Sequence, residues 1–148
     1  MVLGELEMGS KELALGRTFL VRAEHDSDLI SFITELAKQQ GIAVATFTAI
    51  GALKHAKIGF YDQTTHVYKE ENLAEPQELA ACIGNISTKE NEPFVHAHAV
   101  LADVHGNTAA GHLLEGKVFA AEIHLTELKG KKIVRKHDVV TGLSLWDI

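Results

Sequence analysis

A single helical stretch among many strand-like runs constrains the fold more than any other feature of this sequence. The segment HDSDLISFITELAKQQG has apolar residues at helical spacing, namely Leu29, Ile30, Ile33, Leu36 and Ala37. Asp26 or Ser27 can cap its N-terminus, and Gly41 can end it in a left-handed conformation. We therefore predict one helix within the range 26–41.

The remaining chain is rich in β-branched and alternating apolar residues. One strand-like run, RTFLVRA, precedes the helix, and the later ones are IAVATFTAIG, HAKIGFYD, HVYKEEN, ELAACIGNIS, FVHAHAVLAD, TAAGHLLEG and FAAEIHLTELKG. Short polar turns separate several of them, as hairpins require, whereas residues 78–84 fit either a buried strand or a short helix. The pattern predicts a single α+β domain with a largely antiparallel sheet of about seven strands and one main flanking helix. We place this domain at 17–148, after an N-terminal segment 1–16.

Length and composition narrow the class of protein. A chain of 148 residues is enough for one domain with a substantial core. Its N-terminus, MVLGELEMGSKELALG, lacks the basic and apolar regions of a signal peptide, and no apolar run reaches membrane-spanning length, so we expect no membrane partner. Cys82 is the single cysteine, which excludes an intrachain disulfide and favours the cytoplasm.

The net charge argues against strong nucleic-acid binding. The formal charge is −6 at pH 7, whereas nucleic-acid binders usually carry a basic patch or stripe. One basic cluster stands near the C-terminus and comprises Lys129, Lys131, Lys132, Arg135 and Lys136. This cluster is the candidate nucleic-acid contact, and the alternative is a solvated strand end or turn.

Four of the nine histidines lie in VHAHAVLADVHGNTAAGHLLEG, residues 95–116. His96 and His98 share one face of a strand because successive side chains alternate. If residues 104–106 form a three-residue loop with glycine in the left-handed position, His98 lies directly opposite His112. If the loop is only residues 105–106, His112 faces Ala99 instead, because a one-residue slip changes the face. The glycine favours the three-residue loop.

In the first register three neutral imidazoles converge. Such a set suits a divalent ion, zinc first, with a fourth position open for water or a small-molecule ligand. Zinc held in this way lowers the pKa of bound water to about 7, which would make the site hydrolytic. Glu115 is the candidate catalytic base, although strand alternation points it away from the face of His112 unless the strand bulges at 113–114.

These residues also carry a resemblance. The segments GRTFLVRAEHDSDLISFITELAKQQGI, FTAIGALKHAKIGFYD, GNIS and FVHAHAVLADVHGNTAAGHLLEG are similar to the plants and prokaryotes conserved (PPC) domain, from about Arg17 to Leu128. The H-x-H and AGH elements are the most specific part. The resemblance implies a seven-stranded, antiparallel-rich sheet with a flanking helix and assembly as a homotrimer. In stand-alone prokaryotic members, known as DNA-binding proteins with a PD1-like motif, it implies a metal-binding trio here at His96, His98 and His112.

The resemblance leaves two classes of function open. The first is a cytoplasmic, trimeric binding module that holds zinc or another divalent metal and acts through DNA or protein partners. The second is a small zinc-dependent hydrolase or lyase that uses the open metal position. This chain lacks an AT-hook, the Arg-Gly-Arg-Pro core that enters a narrow minor groove, so we expect any DNA binding to be weak.

Overall fold

A computed structural model describes residues 9–148 as one helix and eight strands. The elements are β1 Ala14–Arg22, α1 Leu29–Gln40, β2 Ala45–Asp62, β3 Val67–Leu73, β4 Gln77–Lys89, β5 Glu92–Ala102, β6 Thr108–Lys129, β7 Arg135–His137 and β8 Ser144–Trp146. Residues 1–8 of the predicted N-terminal segment lie outside the described range, and β1 begins three residues before the predicted domain start at 17.

The main sheet has six strands in the order β1-β6-β5-β4-β2-β3, and β6 also pairs with β2. Strands β2, β4, β5 and β6 therefore close on one another, while β7 and β8 form a separate hairpin. All pairings between these strands are antiparallel. The predicted α+β class, the antiparallel sheet and the single helix are confirmed, and residues 78–84 belong to a strand.

Two long strands each join runs that the sequence pattern separates. Strand β2 continues through Gly51 for 18 residues, and β6 continues through Gly116 for 22 residues. Gly51 has a φ of 149°, and a side chain there would collide with the backbone of Ala120 on β6. This glycine therefore allows close approach of two strands and does not mark a turn.

The helix ends at Gly41, whose left-handed φ of 66° is as predicted, and it begins at a cap that differs from the prediction. Asp28, rather than Asp26 or Ser27, is the cap, and its Oδ1 accepts a hydrogen bond of 2.8 Å from the Ser31 amide. Its Oδ2 accepts a second bond of 2.8 Å from the Gly116 amide, which ties the helix to β6. The apolar stripe is confirmed as the buried face, because Leu29, Ile33 and Ala37 are fully buried and Ile30 and Leu36 pack beside them.

The closed sheet has a packed face and an outer face. Alternate residues of β5, from Val95 to Leu101, are buried in the core with Cys82 of β4, and burial raises the pKa of the Cys82 thiol to about 11. The outer face carries the intervening residues, among them the histidines. No helix within residues 9–148 is long and apolar enough to cross a membrane.

Candidate metal centre

A three-residue turn sets the register of the histidine hairpin. The Asp103 amide donates to the Asn107 carbonyl at 3.0 Å, and Gly106 has a left-handed φ of 81°. The Asp103 carboxylate also accepts bonds from the amides of His105 and Asn107, at 2.8 and 2.9 Å. The loop is therefore residues 104–106, as the glycine position predicts.

This register brings together the three histidines predicted from sequence. His98 of β5 pairs directly with His112 of β6. His96 lies two residues before His98 on the same outer face of β5, beyond the last pair between β5 and β6. His112 also pairs with Gly59 of β2 on its other side. The three rings therefore lie next to one another on the outer face.

The distances within the trio are those of a cluster of potential ligands. The Nε2 atoms of His96 and His98 are 3.2 Å apart. The ring centroid of His96 lies 5.1 Å from those of both His98 and His112, and the last two centroids are 5.6 Å apart. One nitrogen from each ring can be chosen so that all three lie within 4.8 Å of one another. Among the described residues, no other His, Cys, Asp or Glu side chains form such a group.

The surroundings of His96 and His112 favour the neutral imidazole, the form that binds metals. Burial, with the nearby charges of His112, Arg135 and His98, lowers the pKa of His96 to about 4. The pKa of His112 is lowered mainly by burial as well, and then by His98 and Arg135. Within the described part of the chain, Nδ1 of His112 is the buried side-chain polar atom that has no hydrogen-bond partner. An unpaired buried nitrogen fits a ligand position, because leaving it unbonded costs free energy.

Glu115 lies on a bulge of β6 but is held by a lysine. Ile58 of β2 pairs with Leu113 and Lys57 pairs with Glu115, so Leu114 is the extra residue. The bulge at 113–114 is thus present, yet the exposed Glu115 carboxylate lies 3.1 Å from the Lys57 ammonium. Glu115 is not part of the cluster of potential ligands, and its role as a base stays a prediction.

The predicted basic cluster divides into two environments. Lys129, Lys131 and Lys132 are exposed at the end of β6 and in the loop after it. The Lys136 ammonium is 2.5 Å from the Asp147 carboxylate. Arg135 instead points into the molecule, where its guanidinium donates to Ser87 Oγ at 2.7 Å and to Asn85 Oδ1 at 3.0 Å.

Sequence reasoning missed the placement of Arg135, which lies beside the histidines and contributes to lowering the pKa values of His96 and His112. It also missed Tyr68 of β3, whose ring centroid is 5.4 Å from that of His112. The available signal for the Arg135 environment is the run GLSLW near the C-terminus, which alternates as a short strand does and contains the single tryptophan.

Solved structures of similar proteins share this fold along nearly the whole chain. A plant- and prokaryote-conserved protein of Pyrococcus horikoshii is 44% identical, with a TM-score of 0.91, and the match covers 95% of this chain and 98% of that one. A protein of Archaeoglobus fulgidus named as metal-containing is 39% identical, with a TM-score of 0.91 and coverages of 94% and 99%. A candidate DNA-binding protein of Ralstonia eutropha JMP134 is 25% identical, with a TM-score of 0.78 and coverages of 87% and 90%.

Among curated proteins, a bifunctional protein GlmU of Synechococcus sp. is 30% identical over 129 residues, which is 85% of this chain. The chain spans about a fifth of the length of the curated relatives it matches, since the matches cover 20% and 17% of the two GlmU proteins. The sequence model of the Plants and Prokaryotes Conserved (PCC) domain, the PPC domain named above, matches residues 10–129. On that match, the chain belongs to the plants and prokaryotes conserved domain family.

Proposed function

We propose that this protein is a homotrimeric PPC-domain protein that binds a divalent metal, zinc first, through His96, His98 and His112. The observation that carries the proposal is the convergence of three imidazole nitrogens within 4.8 Å, one ring having a buried nitrogen without a partner. Neutral imidazoles suit zinc among the common divalent ions, and three of them leave a fourth position free. The Archaeoglobus relative named as metal-containing supports the same conclusion.

The outer face of the sheet supports assembly. It exposes several large apolar side chains, namely Leu20, Ile50, Ile83, Val100 and Phe119, and Ile83 remains 66% exposed. Thr46, Thr48 and His124 lie beside them on β2 and β6. Apolar surface of this extent usually marks an interaction site, and the occupant we propose is the same face of two further copies. Homotrimer formation is the family expectation given above.

DNA binding is the weaker part of the proposal. Three copies carry a formal charge of three times −6, which opposes approach to phosphates. Of the five basic residues near the C-terminus, Arg135 and Lys136 already have partners within the chain. The contact that remains is Lys129, Lys131 and Lys132, and we propose that it gives weak, sequence-independent binding with at most a regulatory role.

Elemental analysis tests the metal site. Untagged protein purified without added metal should contain about one zinc or similar ion per chain, because three histidines make one site. His98→Ala should lose that metal, whereas His55→Ala, an exposed histidine outside the trio, should keep it. Full occupancy in His98→Ala would refute the ligand assignment.

A cytoplasmic location, expected from the single cysteine, would be tested by fractionation of the producing cell.

A second candidate function is a small zinc-dependent hydrolase or lyase. The observation that favours it is a pocket beside the trio, bordered by His96, His112 and Tyr68. A bound ion would supply Lewis acidity at that place. The protein's own residues would hold a small molecule and shield it from water, and Glu115 is the candidate base if its ion pair with Lys57 opens.

A further inference from the structure

Residues 130–148, which we call the C-terminal hairpin, lie beyond the family match and fold back onto the sheet next to the histidines. Strands β7 and β8 pair within it. The Thr88 amide donates to the Ile133 carbonyl at 2.8 Å, and the Tyr61 hydroxyl donates to the Thr141 carbonyl at 2.6 Å. Ile133 is 5% exposed. The C-terminal hairpin is thus anchored to β4 at one end and to β2 at the other.

A pocket of about 260 Å³ lies between this hairpin and the trio. His96 and His112 form one side, Arg135 and Ser144 form the hairpin side, and Lys89 and Tyr68 complete the walls. Pockets for drug-sized ligands usually measure about 300–1,000 Å³. This pocket lies just below that range and therefore fits a small metabolite-sized molecule.

Arg135 is rigidly placed at this pocket. Its Nε, Nη1 and Nη2 donate to Ser87 Oγ at 2.7 Å, the Ser144 carbonyl at 2.9 Å and Asn85 Oδ1 at 3.0 Å. The guanidinium carbon also lies 5.0 Å from the Phe94 ring centroid and 5.8 Å from that of Trp146. These contacts fix the planar group before any ligand arrives, and its two terminal nitrogens keep further N–H groups.

The charge of Arg135 has no counterion within the described residues. None of the ion pairs there, up to 4.0 Å, includes Arg135 or Lys89, although other exposed lysines have acidic partners. Its hydrogen-bond partners are a hydroxyl, an amide oxygen and a carbonyl, all neutral. A half-buried cation is costly without a compensating anion, so the pocket is electrostatically incomplete.

We propose that this pocket binds a small molecule through an oxyanion, a carboxylate or a phosphate, with Arg135 as the main contact and Lys89 as the second. A guanidinium matches the geometry of both oxyanions and forms charge-assisted hydrogen bonds to them. The other end of the molecule faces His96 and His112. The proposal rests on the metal-binding function for that second contact, because a metal there would accept an oxygen ligand, whereas the contact with Arg135 does not need the metal.

Trp146 provides a direct readout, since it is the single tryptophan and lies over Arg135. Protein with stoichiometric zinc is titrated with inorganic phosphate and, separately, with malonate, at ionic strength held constant with chloride. We expect a saturable change in tryptophan fluorescence with at least one of them, and the response of each identifies the oxyanion preferred. Arg135→Gln should weaken binding at least about tenfold, the usual loss for charge-assisted hydrogen bonds.

Two further variants keep the test informative if Arg135→Gln does not fold. Lys89→Gln removes the second cation without disturbing the network of Arg135 and should weaken binding several-fold. Lys38→Gln, which changes an exposed lysine on α1 outside the pocket, is the matched control and should bind as the wild type does. If Arg135→Gln unfolds or loses zinc, the Lys89→Gln variant decides the test. An anion affinity equal to that of the wild type then overturns the proposal, whereas an affinity that is weaker in Lys89→Gln but unchanged in the control variant supports it.

The outcomes separate this proposal from the metal site. Protein that binds zinc but gives no saturable response to either anion overturns the anion pocket and leaves the metal site standing. Protein that binds an anion through Arg135 but takes up no zinc keeps the pocket and overturns the metal function. Wild-type affinity in folded Arg135→Gln overturns the pocket in either case.

Discussion

Removing His98 should abolish stabilisation by zinc while leaving the protein folded. His98 is exposed, so its truncation removes little packing, and surface changes of this kind usually alter stability by no more than about 0.5 kcal/mol. His112 is a poorer choice because it is partly buried and packs on Tyr68 at 5.4 Å between ring centroids. His98→Ala therefore separates metal binding from packing.

The size of the effect follows from linkage. Free zinc at 100 times its dissociation constant stabilises a folded protein by about 2.7 kcal/mol when the unfolded chain does not bind it. For a domain of roughly 150 residues, each kcal/mol raises Tm by about 2–4 °C. We therefore expect zinc to raise the wild-type Tm by about 5–11 °C over the metal-free protein, and to raise that of His98→Ala by less than about 2 °C.

Differential scanning fluorimetry with chelator or with buffered zinc measures both shifts, at one protein concentration because assembly makes Tm concentration-dependent. His55→Ala is the control, since His55 is exposed on β2 outside the trio. It should retain the wild-type shift. A zinc shift of full size in His98→Ala, or an equal loss in His55→Ala, would refute the assignment of the ligands.

Three further predictions concern assembly, DNA and acid stability. Light scattering should give about three times the 16.1 kDa chain mass, and Ile83→Asp should yield monomers because it places a charge on the exposed apolar face. Fluorescence anisotropy with AT-rich and mixed DNA duplexes should give dissociation constants of about 10⁻⁴ M or weaker at physiological salt. The double variant Lys131→Gln, Lys132→Gln should bind both duplexes more weakly. Nanomolar, sequence-selective binding would contradict the prediction of weak DNA binding. Glu127, 8% exposed, has its pKa lowered from 4.5 to about 2, mainly by a hydrogen bond from Arg17, so its contribution is present above pH 4.5 and is lost as pH falls toward 2. Urea unfolding across that range should show a shallower loss of stability in Glu127→Gln than in the wild type, and identical pH profiles would contradict the ion pair's role.

Local pattern predicts the helix and the histidine hairpin because their determinants lie close together in sequence. The stripe on α1 and the loop at 104–106 each depend on fewer than about 20 consecutive residues, and in both cases the structure agrees. The predicted N-caps, Asp26 and Ser27, lie two positions and one position before the observed cap, Asp28. Asp28 accepts hydrogen bonds from both Ser31 and Gly116, and Gly116 is 88 residues away in the chain. Such long-range choices leave no mark in a local window.

Long-range packing explains the remaining differences. Gly51 resembles the end of a strand in sequence, but its place opposite Ala121 is set by a pairing between segments far apart in the chain. Arg135 resembles one member of a solvated basic run. Its position depends on Asn85, which lies 50 residues earlier in the chain, and on Trp146 of the C-terminal hairpin. The spacing of residues in the sequence therefore could not predict the pocket, whereas it did predict the histidine trio.

The locality of the trio has a consequence for the order of folding. His96, His98 and His112 lie within one hairpin, whereas β1 pairs with β6 across a hundred residues or more, as Arg22 with Glu122 shows. Hairpins close in about 1–10 μs, and pairings between distant segments come later because their loop-closure entropy is larger. The histidine hairpin can thus form before the sheet that carries it closes. Zinc present during synthesis would then act on the nascent chain as a local template, fixing the register of β5 and β6 before β1 docks.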